Sequence, residues 1–318
     1  MAHLYRIAVN SFREAIREPV YFLMLLGALL LIGHYPWMTL FVFFEQLKLV
    51  VDGAMATTML FSLAVCVLCA TATVSREMQS GTVLLLLSKP IPRWSFVLGK
   101  ICGIAAASAL FCAICSCASV ISVYIAVDQF RMNMTLYWVF VGVLAASCAF
   151  GMLMNYLRSA SFSEYSAYAA VLLVGGMMAV CLKFMPHPEL SLRDLGKALF
   201  LLIPAVTIMA VLAVACSTRM DVVPALCVCT VLFFCGLVST HLFRNASGPV
   251  WGPVAAALYA IIPNWQYFWM ADALAVNRSI PASYVVRACV YALVYCSVGA
   301  AWAAVFFRNR EAAGGSRN

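Results

Sequence analysis

Long apolar runs, each about the length of a membrane crossing and separated by short polar breaks, recur along the whole chain. A helix needs about 20 mostly apolar residues to cross a hydrocarbon core of about 30 Å, and it satisfies its own backbone hydrogen bonds where water cannot. Windows of that size predict eight spans, at Val20 to Phe44, Gly53 to Thr73, Phe96 to Val127, Leu136 to Leu157, Tyr165 to Phe184, Ala198 to Ser217, Val222 to Phe243 and Tyr284 to Phe307. A further apolar stretch, Val250 to Ile262, is too short to cross and is interrupted by Gly252 and Pro253 and followed by Pro263. Residues 250–263 therefore read as a re-entrant or interfacial helix. A ninth crossing there would leave the two ends of the chain on opposite sides of the membrane.

Two segments break this rhythm. Residues 3–18 place Leu4, Ile7, Ala8, Ser11, Phe12 and Ala15 on one helical face and Arg6, Asn10, Arg13, Glu14 and Arg17 on the other, the pattern of a helix lying in the cytoplasmic interface. Pro19 ends that helix and turns the chain into the first span. No short apolar core with a small-residue cleavage site follows the basic residues, so the segment does not read as a cleavable signal. The second segment, residues 76–100, is a polar, proline-punctuated island between two spans. Arg76-Glu77 closes the second span, Gly81-Thr82 allows a turn, and the run to Leu87 is apolar but too short to cross. Ser88, Pro90 and Pro92 suit the start of a new helix. Arg93, Trp94 and Phe96 would give that helix a basic and aromatic face, with Gly99-Lys100 leading into the third span.

Composition agrees with the pattern: 65% of residues are hydrophobic, 10% are charged, and mean hydropathy is +0.98. The expected fold class is an all-α integral membrane protein of about eight transmembrane helices with an N-terminal interfacial helix and a cytoplasmic coupling helix. The net charge of +8 reads as topology and attraction to the headgroups of membrane lipids. Basic residues cluster at Arg6, Arg13, Arg17, Arg76, Lys89, Arg93, Lys100, Arg308 and Arg310, which predicts cytoplasmic N- and C-termini in a multi-pass protein of the inner membrane. The basic residues are dispersed without an adjoining aromatic platform, so no nucleic acid is expected as a partner.

Little here supports chemistry within the chain. Of the 14 cysteines nearly all fall inside predicted spans, where a thiol packs between helices, and the four histidines accompany none of them at ligand spacing; no metal site is assigned. Soft sulfur ligands in Cys66, Cys69, Cys112 and Cys115 nevertheless keep copper or other soft-metal handling open as an alternative. A charge at mid-bilayer costs about 2.5 to 3.5 kcal/mol, and Arg158, Glu164, Lys183, Arg219, Asp221 and Arg287 all fall near span ends. That argues against a carrier driven by protons or sodium. Metalloprotease and hydrolase spacings are missing, and no phosphate-binding loop precedes Gly99-Lys100 or Gly196-Lys197, so no catalytic residue is assigned and the chain reads as no enzyme. Energy for active work would have to come from a partner.

The order Glu77, Gly81, Thr82, then a leucine-rich run, then Ser88, Lys89, Pro90, Ile91, Arg93, Phe96, Gly99 and Lys100 resembles the permease (transmembrane) subunits of type 2 ABC transporters, especially the group labelled multi-copper enzyme maturation permease. The closing pattern Pro263-Asn264, Phe268, Asp272, Ile280-Pro281, Tyr284 and Phe307-Arg308 is similar too. The resemblance implies a single transmembrane permease domain over 1–318 that exports an unidentified substrate. It further implies ATP and Mg held by a separate cytoplasmic ATP-binding subunit, a second permease copy or paralogue, and residues 76–100 as the coupling element, with the residues just named as partner contacts. Members commonly have fewer spans than the eight read here, and the surplus pair falls at Leu136 to Phe184. A non-transporting membrane assembly factor is the remaining alternative. Small residues at Ala105 to Ala109 and at Gly175-Gly176 are expected where helices slide.

Overall fold

A computed structural model describes residues 2–38, 46–79, 93–127, 131–186, 188, 190–243, 251–276 and 278–314. The helices are α1 (Ala2–Arg17), α2 (Pro19–Met38), α3 (Gln46–Gln79), α4 (Arg93–Ile125), α5 (Met134–Arg158), α6 (Phe162–Phe184), α7 (Leu192–Ser217), α8 (Val222–Phe243), α9 (Trp251–Ile261), α10 (Ala271–Ala275) and α11 (Ala282–Gly314). A two-residue pairing, Ala126–Val127 with Arg131–Met132, links α4 to α5. Eight helices, α2 through α8 and α11, are long and apolar enough to cross a membrane, so the protein is an all-α integral membrane protein. The predicted extension of the first span to Phe44 falls outside the described residues.

Local chemistry sets the boundaries. Pro19 occupies the first position of α2, where its missing N–H has no helical partner to lose. Asn133 and Ser191 cap α5 and α7 by accepting from Leu136 N and Asp194 N at 3.1 and 3.4 Å. Between α5 and α6 the chain turns within three residues, with Ser159 in the left-handed region at φ 51°.

Helices α3, α4 and α7 form the buried centre, while α5, α8 and α11 lie outermost and expose valine, leucine and phenylalanine side chains of the kind lipid covers. The apolar interior forms two clusters. One joins α3, α4, α7, α8 and α11 around Leu201, Leu202 and Trp265, and the other joins α1 through α6 around Tyr21, Phe111 and Phe140. Helices α3 and α4 belong to both. The small-residue expectation holds for Ala107 and Ser108, which are buried, but not for Gly175-Gly176, where an added Cβ meets nothing. The close approaches fall elsewhere: Gly151 of α5 lies against Ser166 and Phe162 of α6, Gly236 of α8 against Pro263 and Trp265, and Gly299 of α11 against Val211 of α7. A glycine permits contact without requiring it, and Gly175 and Gly176 sit on an open face of α6.

Helix α9, at 11 residues, falls well short of the ~20 that a crossing needs. It exposes Val254, Leu258 and Ile261 on one face, and then the chain turns through Pro263 into a 3-10 turn at Trp265–Phe268. Non-helical backbone in such a setting must find partners in side chains. Tyr295 donates to Ile261 O at 2.6 Å, Asn264 N donates to Tyr291 Oη at 3.2 Å, and Trp265 Nε1 donates to Phe233 O at 3.1 Å. Phe233 lies ten residues before the end of α8 at Phe243, about 15 Å along the helix, and Tyr291 lies nine residues after the start of α11, about 14 Å. Farther along, Asp194 Oδ1 accepts from Ile280 N at 3.2 Å, and Lys197 Nζ donates both to that same oxygen at 2.8 Å and to Ile280 O at 2.7 Å. The start of α7 thus clips the chain that enters α11.

Candidate functional site

Of the residues assigned to coupling, Gly81, Thr82, Ser88, Lys89, Pro90 and Ile91 lie outside the described residues. Glu77 falls in α3, whose helix runs on to Gln79, and Arg93 opens α4. The remaining three are well placed in the structure, and they correct one expectation. Residues 93–100 are not a separate short helix but the first turns of α4, in one helix with the span. Trp94 is exposed, yet Phe96 and Lys100 are buried.

What covers this segment is α1. A Cβ on Gly99 would meet Ile7 Cγ2 at 2.7 Å, and one on Gly103 would meet Ala8 O at 2.5 Å and Phe12 N at 2.9 Å, so the two helices touch nearly backbone to backbone. Gly99, Gly103, Ala107 and Phe111 recur every fourth residue on one face of α4. The first two receive α1, Ala107 O accepts from Tyr21 Oη of α2 at 2.9 Å, and Phe111 meets the Tyr21 ring edge to face. The apolar side of α1, expected to face lipid, is therefore covered largely by protein: Ser11, Ala15 and Ile16 are buried, while His3, Tyr5, Arg6, Asn10, Arg13 and Arg17 remain exposed.

Charge completes the joint. Lys100 is 2% exposed, and its Nζ donates to Glu14 Oε2 at 3.1 Å. Such an ammonium is costly to bury unless paired. At the other end of α1, Arg17 Nε donates to Glu164 Oε2 of α6 at 2.6 Å, and Ser163 Oγ donates to Ile16 O at 2.7 Å, supplying a carbonyl the helix end leaves unpaired. The Glu164 carboxylate, through its hydrogen bond and then its charge, raises the Arg17 guanidinium above its ordinary value. Arg17 in the last turn of α1 and Glu164 in the first turn of α6 each complement a helix dipole. The assigned set omitted Glu14, Gly103, Ser163 and Glu164. The Gly99-x-x-x-Gly103 spacing was the one signal for the contact, and ion pairs 86 and 147 residues apart leave none.

The four thiols of the metal alternative do not line one cavity. Cys66 points to Val206 O of α7 and Cys69 to Ala15 O of α1, each at 3.8 Å, and Cys112 and Cys115 divide between the two clusters in the same way. Among the described residues no group of three or more histidine, cysteine, aspartate or glutamate side chains could hold a metal ion.

Sequence comparison settles the family. The profile of the ABC-2 family transporter proteins matches residues 6–311, from within α1 to the last turns of α11. The chain belongs to the ABC-2 transporter family. It is accordingly a multi-pass permease subunit of an ABC transporter, and membership implies an ABC ATPase partner. The match runs through α5 and α6, so this ABC-2 permease carries that hairpin inside its family region. No curated protein matches the chain.

Proposed function

We propose that this permease exports its substrate with energy from ATP hydrolysed on a separate subunit, and that residues 76–100 receive the stroke. One observation carries the reading: α4 begins at Arg93, within the proline-punctuated island, and runs unbroken through 33 residues, about 50 Å, with α1 fixed to its first turns. A push on the island would move α4 and α1 as one body and shift α4 against α3 and α7. The ATP and Mg belong to the partner; both chain ends lie in the cytoplasm and the protein in the inner membrane, a topology that the basic residues near α1 and the island support. A second permease copy or paralogue completes the transporter, and membrane lipids cover the apolar outer faces of α5, α8 and α11. The segment 250–263 is re-entrant, since its turn is bonded to α8 and α11 about halfway along a ~30 Å core. The resemblance to the multi-copper enzyme maturation group supports this reading at the level of the coupling motif.

The test uses vesicles holding the permease and its ATPase. Glu77→Ala with Arg93→Ala is expected to leave insertion and ATP hydrolysis in place while lowering ATP-driven uptake of an amphiphilic dye by about tenfold, the effect of roughly 1.4 kcal/mol. Unchanged uptake per ATP would remove the island from the coupling path.

A further inference from the structure

A cavity of about 530 Å³ lies between α9, the turn that follows it and α11. That is the size of a small-molecule site. Its polar lining is Tyr259, Asn264, Tyr267, Tyr284, Arg287 and Tyr291, and Ala260 and Ala288 leave the room between them. On α11 the contributing positions 284, 287, 288 and 291 share one helical face. The cavity is framed rather than collapsed because its side chains brace one another: Tyr259 and Tyr267 hydroxyls lie 3.2 Å apart, Asn264 Nδ2 donates to Tyr259 Oη at 3.3 Å, and Tyr284 Oη donates to Tyr267 O at 2.9 Å.

The lining contains donors in excess of acceptors, and it includes no carboxylate. Tyr291 Oη accepts from Asn264 N, and among the described residues its own hydrogen has no acceptor. Among the described residues Arg287 makes one hydrogen bond, from Nε to Ser283 O at 3.3 Å, and its two Nη groups retain donors for whatever fills the cavity it lines. A guanidinium five residues inside a spanning helix, about 8 Å from its start, persists by reaching toward the headgroups or by meeting an anion. The surrounding surface is apolar: Leu258 and Ile261 of α9 and Val290, Leu293 and Val294 of α11 are exposed. We propose that this cavity binds an acidic amphiphile, with its phosphate or carboxylate head on Arg287 and the Tyr291 hydroxyl and its chain along the apolar faces of α9 and α11. The assignment rests on the permease reading with 250–263 re-entrant, and it names the chemical class of the cargo or of a lipid that gates its path.

The experiment uses the full-length protein in phosphatidylcholine nanodiscs with photoreactive lysophosphatidylglycerol, and a photoreactive monoacylglycerol as the uncharged-head control. The anionic probe is expected to label peptides spanning 259–291, Arg287→Gln to reduce labelling by about tenfold, as for a lost charge-assisted contact, and Arg287→Lys to retain part of it. Thermal unfolding of the Arg287 variants checks that the fold is intact, as the exposed position predicts. Equal labelling by both probes, or by wild type and Arg287→Gln, overturns the proposal. So does displacement by millimolar inorganic phosphate as effective as that by unlabelled lysolipid, which would make the site one for a free anion. No ATPase is present in this assay, so its failure leaves the coupling reading standing, while an ATPase that does not co-purify with a permease that still labels counts against coupling alone.

Discussion

At the α1 end of the bundle, Gly99 and Gly103 let one helix lie on another with little but backbone between them, and two ion pairs fix the fit. At the opposite end, the turn after α9 is held by tyrosine, asparagine and tryptophan side chains that keep it at arm's length from α11 and leave a cavity. The first kind of joint transmits displacement, because helices in close contact and locked by charge have no room to slide. The second tolerates rearrangement, because each hydrogen bond can lengthen or change partner without displacing a helix. The α1 joint rests on α4 and α6 and the far turn on α7 and α8, the one a rigid input and the other an adaptable receptacle.

The strongest way to break that contrast is to fill the glycine contacts. Gly103→Leu drives a side chain into the backbone of α1 and is expected to destabilise the permease by about 3 kcal/mol, the upper range for overpacking, and to expose α1 to protease. Gly236→Leu should instead loosen residues 262–268 while α1 stays docked, as read by hydrogen exchange; loosening at both ends from either change would show that the joints are not separate. Next in size, Glu14→Gln removes the carboxylate that α1 sets beside the buried Lys100 ammonium. The expected cost is about 2 kcal/mol in thermal unfolding, below the roughly 3–5 kcal/mol of a fully buried pair because the Glu14 side chain is 26% exposed. Lys100→Met combined with Glu14→Leu should recover most of that loss, since it removes both charges. At the far end Asp194→Asn weakens the clip on Ile280 and Lys197, about 1.5 kcal/mol, with increased exchange confined to the start of α11. Arg17→Gln should be smallest, about 1 kcal/mol and reduced further by salt, because the Arg17 side chain is 57% exposed although the Glu164 side chain it leaves is only 9% exposed.

Most of the architecture was legible in the sequence because crossing lipid leaves a mark that is local and one-dimensional: every span had to be about twenty apolar residues, and 250–263 was visibly too short. The amphipathic pattern of 3–18 was equally plain, but an apolar helix face is served by lipid or by protein alike, so its cover could not be read. Gly103 and Gly176 show the same limit in miniature. Both are glycines in apolar helices, and only the position of a distant backbone separates a contact from an open surface. Lys100 read as a residue at the head of a span, whereas its partner sits 86 residues earlier on a helix that itself had been assigned to the membrane surface.

The bond from Arg17 to Glu164 also sets an order of assembly. Its partners are 147 residues apart, and at 5–20 residues per second α6 follows α1 from the ribosome by roughly 7–30 s. Until α4 and then α6 are made, α1 has its apolar face formed and its protein cover incomplete, and the headgroup layer is where such a helix waits. The amphipathic pattern of α1 therefore serves the newborn chain in lipid first and the finished permease afterwards.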